Sequence, residues 1–96
     1  MTDATYNGSK NYETFTVSSE LTNNRGLEGL LAARGVLMQL RGQYEYDFEV
    51  AEAFRDWFAE SAGMPTDEVS LTGTACAVFL EGADWREIIA DVDDEG

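Results

Sequence analysis

Nineteen carboxylates, one thiol and no imidazole set the chemistry open to this 96-residue chain. Paired Asp and Glu side chains act as general acid and base when their surroundings separate their pKa values. So many carboxylates in so short a chain also form pairs by accident, and the sequence sets none of them apart in an apolar pocket. Oxygen ligands suit calcium and magnesium, but no EF-hand loop is present. Asp93-Asp94-Glu95 lacks both the ligand spacing and the turn glycine. The missing histidine removes the commonest general base and the commonest zinc ligand. Cys76 lies between Ala75 and Ala77 in an apolar stretch, the setting of a structural thiol rather than an activated one. Lys10 is the only lysine, and no glycine-rich phosphate loop occurs. The expectation is a protein that is not an enzyme and uses no cofactor and no metal.

One set of carboxylates is ordered. Glu49, Glu52, Asp56 and Glu60 recur at intervals of 3, 4 and 4, which places them on one side of a helix. At a rise of 1.5 Å per residue they stand about 5–6 Å apart along the axis. Successive phosphates of a DNA strand are separated by a similar distance, roughly 6–7 Å. A rigid row of this kind can offer a DNA-binding protein what a phosphate backbone offers, with charge steering the encounter. Glu45, Asp67, Glu68, Asp91, Asp93 and Asp94 would flank the row. A solvated helix face carries the same pattern, and so does a protein adapted to high salt. Tyr44, Tyr46 and Phe48 lie at the start of the row as candidate aromatic anchors. Phe48 can equally pack locally as an early residue of the helix. Tyr12, Phe15, Trp57 and Trp85 are expected in the core.

These residues need helices to position them. Residues 1–10 form a polar lead, and Asn11 can cap a helix over about 12–22, although Thr14, Thr16 and Val17 also suit a strand. A second helix is expected over 26–41. Its apolar stripe is Leu27, Leu30, Leu31, Arg34 and Met38, widened by Leu37 and Leu40. Gly29 and Gly35 weaken it and would permit close helix approach. The third helix, 47–62, has Asp47 as its expected cap. Val50, Ala53, Phe54, Trp57 and Phe58 form its apolar face, and Gly63 with Pro65 its stop. Over 66–81 helix and strand are both open. Asp84-Trp85-Arg86-Glu87 reads as a capping box for a last helix, with Trp85, Ile88, Ile89 and Val92 facing inward. Residues 92–96 are expected as an acidic tail. The sum is an all-α single domain of four to five short helices, a size that buries roughly two thirds of its unfolded surface.

The net charge of −13 is not evenly spread. Residues 1–44 balance Asp3, Glu13, Glu20 and Glu28 against Lys10, Arg25, Arg34 and Arg41. Residues 45–96 set fifteen acids against Arg55 and Arg86 alone. Such asymmetry points to an interaction surface. It excludes electrostatic binding to nucleic acid or an anionic membrane. The single cysteine excludes an internal disulfide. No apolar run is long enough to span a bilayer, and the first residues lack the basic start of a signal peptide. A cytoplasmic protein is expected.

Tyr6-Asn7-Gly8-Ser9-Lys10-Asn11-Tyr12-Glu13-Thr14-Phe15-Thr16-Val17 resembles the YNGWxNYETWxV opening of small acidic proteins carried by phages and plasmids. Asp84-Trp85-Arg86-Glu87-Ile88-Ile89-Ala90 is similar to their (N/D)WxEIA ending. Ser9 and Phe15 stand where tryptophans are usual. The resemblance implies a compact helical fold and a mobile-element origin, and it brings no catalytic residues. By analogy of size, charge and origin with anti-restriction and anti-CRISPR proteins, the expected function is inhibition of a host defence system. The expected partner is a DNA-binding host protein or a CRISPR effector complex, bound through an acidic, DNA-mimicking surface. The alternative is a protein–protein interaction module whose acids serve only solubility or high-salt adaptation.

Overall fold

The computed structural model describes residues 11–65, Asp67 and residues 69–94. The polar lead expected over 1–10 lies outside the described residues, as do Glu68 and Glu95. Among the described residues there are five α-helices and no strand. They are α1 (Tyr12–Ser19), α2 (Gly26–Gln43), α3 (Asp47–Ser61), α4 (Leu71–Gly82) and α5 (Trp85–Asp94).

α1 starts where Asn11 Oδ1 accepts the N–H of Thr14 at 2.9 Å. Its β-branched residues are accommodated because hydroxyls bond back one turn. Thr16 Oγ1 donates to Tyr12 O, and Thr22 Oγ1 donates to Ser18 O, both at 2.8 Å. After Ser19 the helix widens into a π-helical turn, Glu20–Asn24, which Arg25 caps.

α2 buries Leu30, Ala33 and Leu37, with Val36 and Leu40 partly covered. This corrects the expected stripe: Leu27, Leu31 and Met38 point outward, at 70%, 53% and 76% exposure. The expectation for the glycines is also corrected. A Cβ on Gly35 would meet nothing within 4 Å, and one on Gly29 would meet the Arg25 side chain rather than another helix.

The segment left open between helix and strand is helical over Leu71–Gly82. Ser70 caps it, its Oγ accepting the N–H of Gly73 at 2.9 Å. α5 begins behind Asp84, whose carboxylate accepts the N–H of Glu87 at 3.1 Å. It continues to Asp94, so Val92, Asp93 and Asp94 belong to a helix and not to a frayed tail.

Val17, Leu21, Leu37, Phe54, Ile88 and Val92 are fully enclosed in one core. Phe54 stacks on Trp57 and meets Trp85 edge-on, with centroids 5.2 and 6.3 Å apart. Trp85 is buried, and its indole N–H donates to Leu80 O at 2.8 Å. Trp57 and Phe15 are only half-buried, and Tyr12, expected in the core, is exposed.

Candidate acidic binding surface

The chain between α2 and α3 is extended at Tyr44 and Tyr46, and α3 begins at Asp47. Asp47 is thus the first helical residue, not the cap. Tyr46 holds the cap position, and the Glu49 carboxylate accepts its N–H at 3.4 Å. Both acids sit in the first turn, where the positive end of the helix dipole favours them. The far end closes on Gly63 at φ +71, with Gly63 N–H donating to Glu60 O and Met64 N–H to Ala59 O. This paired arrangement suits a residue without a Cβ penalty at positive φ.

Between these ends α3 divides cleanly. Val50, Phe54, Phe58 and Ala59 are buried. Glu52, Asp56 and Glu60 are exposed on the far side, and Glu49 is half-buried beside its cap. Core packing on one side therefore fixes the direction of the carboxylates on the other. Arg55 Nη2 approaches Asp56 Oδ1 at 3.5 Å in an exposed pair, an arrangement that contributes little in water. Among the described residues no arginine pairs with Glu52 or Glu60.

Arg25, Arg34 and Arg41 are occupied within the fold, and Arg86 is exposed. Arg25 Nε binds Glu20 at 3.0 Å, and its guanidinium lies 5.3 Å from the Phe58 ring centroid. The Arg25 hydrogen bond holds the Glu20 carboxyl below its ordinary pKa. Arg34 Nε donates to Val92 O at 2.8 Å, at the C-terminal end of α5. Arg41 grips Asp93 through Nη1 and Nη2 at 3.3 and 2.7 Å, which raises the guanidinium pKa.

Of the expected flanking acids, Asp67, Asp91 and Asp93 are engaged within the fold. Asp91 is half-buried and accepts the Ser18 hydroxyl at 2.7 Å. Asp93 is paired with Arg41. Asp67 accepts the N–H groups of Val69 and Ser70 at 3.0 and 2.7 Å and the Ser70 hydroxyl at 3.2 Å, so it builds the entry to α4. Asp94 and Glu45 are exposed, and Glu68 lies outside the described residues. Tyr44, Tyr46 and Phe48 are all exposed, and Phe48 also packs locally. Its ring stacks on that of Tyr46 with centroids 5.7 Å apart.

A shallow hollow lined by Asp56, Glu60, Gly63 and Met64 lies at the C-terminal end of α3. Among the described residues no group of three or more His, Cys, Asp or Glu side chains is placed to hold a metal ion. Cys76 is a half-buried free thiol. No helix among them is long and apolar enough to cross a membrane. Sequence reasoning missed the exposed face of α2, although its helix showed more apolar positions than one buried side needs. No family model, no curated protein and no solved structure matches the chain.

Proposed function

We propose that the chain inhibits a host defence system by occupying the nucleic-acid site of a DNA-binding partner, a CRISPR effector complex being the first such target. The carrying observation is the outward row Glu52, Asp56 and Glu60 on α3, with Glu49 at its head and Arg55 its one paired cation among the described residues. A row braced by a packed core face meets Lys and Arg side chains without reorganising, and the partner's field draws it in. The chain would bind no nucleic acid itself.

The test is DNA binding by a purified CRISPR effector, measured with and without the protein. The wild type should lower DNA binding, and the double variant Glu52→Lys/Asp56→Lys should lose that effect by about two orders of magnitude or more. Its circular dichroism should be unchanged, because both side chains are exposed. Inhibition should also weaken with added salt. Full inhibition by the double reversal would overturn the mimicry.

The exposed, stacked pair Tyr46 and Phe48 favours a second reading, a module that binds a partner subunit through aromatics while the acids keep it soluble. Alanine at Tyr44, Tyr46 and Phe48 would then abolish binding, and the charge reversals would spare it.

A further inference from the structure

α2 is apolar on two sides, and only one of them is used by the core. Leu30, Ala33 and Leu37 face inward, and Leu27, Leu31 and Met38 form a second stripe in solvent. A helix apolar on more than one side is normally covered on more than one side. We propose that this outer face binds a second copy of the chain, with the two α2 helices antiparallel.

Charge argues for a second copy at this position. Residues 45–96 carry the excess acid, which repels another copy at contact distance. Residues 26–43 hold only Glu28, Arg34 and Arg41; Arg41 is paired with the Asp93 carboxylate, and Arg34 is held by the Val92 carbonyl. The face therefore brings together less like charge than residues 45–96 would, Arg34 and its copy being the like-charged pair nearest the axis. Acids elsewhere that lie beyond a Debye length, about 8 Å at physiological salt, are largely screened.

Shape argues the same way. A two-fold interface must be self-complementary. With the axis midway between Arg34 and Gly35, Leu31 lies opposite the partner's Met38 and Leu27 opposite the partner's Gly42. Gly35 and Gly42 have open space where a Cβ would stand, so large side chains meet gaps and the backbones can approach closely. The 18-residue helix supplies a seam of about 27 Å.

Sedimentation equilibrium over a wide concentration range tests this on the full chain. The wild type should reach twice the chain mass, and Leu31→Glu or Met38→Glu should raise the dimer Kd by about tenfold or more. Both residues are exposed in the single chain, so the variants should fold, which circular dichroism checks. Added salt should strengthen the dimer by screening the mutual repulsion. In a Cys76→Ser background, Gly35→Cys should cross-link readily on oxidation. The two copies of that residue lie about 1.5 Å apart along the axis, but those of Leu27→Cys about 22 Å. A chain that stays monomeric at every concentration overturns the proposal. So does a dimer indifferent to both glutamates, or one covered by a different partner in preference to itself. Cross-linking through Leu27→Cys in preference to Gly35→Cys overturns the antiparallel register.

Discussion

Asp67 is exposed and yet fully committed. Its carboxylate takes two backbone N–H groups and one hydroxyl, and these hydrogen bonds, that of the Ser70 N–H foremost, hold its pKa below the ordinary value. The folded chain thus binds this proton less readily than the unfolded chain. The stabilisation is complete above the unfolded pKa, about 4 for Asp, and is lost as pH falls through the lower folded pKa. Asp67→Asn should accordingly be less stable than the wild type at pH 7, and the gap should shrink on acidification below about pH 4. Urea unfolding at both pH values checks it, and a gap of constant size would remove the ionised carboxylate from the account. Residues of this kind show what spacing can and cannot reveal. Glu52, Asp56 and Glu60 were legible because their neighbours in space are neighbours in a helical period. Asp91 and Asp93 were not, because the groups that engage them, Ser18 and Arg41, lie 73 and 52 residues away.

At the scale of elements, α3 and α5 were the most legible. Each has one apolar face, a recognisable start and, in α3, a glycine stop. α2 was misread on its outer side because a period of 3.6 marks which residues share a face but not how many faces are covered. α4 was open because its β-branched and small residues fit a strand as well. What decides it is the cap at Ser70 and the turn that Asp67 holds in front of it. Gly73 belongs to that device. A Cβ there would collide with the Asp67 carbonyl, which is backbone and cannot swing aside. Gly73→Ala gains about 1 kcal/mol in helix propensity against an overpacking cost of about 1–3 kcal/mol. The expected net effect is destabilisation, read as a lower urea midpoint with the slope unchanged. A stabilised variant would mean that the turn relaxes freely.

For the whole molecule, the charge of −13 works against compactness, because like charges on one small body repel. The ion pairs Arg25–Glu20 and Arg41–Asp93 are partly exposed and offset little of this. Thermal melting in increasing sodium chloride should therefore move upward. For a chain of this size each kcal/mol gained is worth about 4–8 °C. A falling melting temperature would show that the arginine pairs outweigh the repulsion. Under the proposed function salt would then have opposite signs, raising stability while weakening the hold on a cationic partner.

α1 is fastened to residues 82–91. Asn11 Nδ2 donates to Gly82 O at 2.7 Å, Asp84 N–H donates to Thr14 Oγ1 at 2.8 Å, and Ser18 reaches Asp91. These bonds join residues 70 to 73 apart in sequence. At a synthesis rate of about 5–20 residues per second, the partners of α1 are made roughly 4–14 s after it. A nascent chain on the ribosome thus carries α1 without these partners until residues 82–91 have been made. A ribosome stalled before residue 82 would display a nascent chain whose first helix lacks every one of these three fastenings.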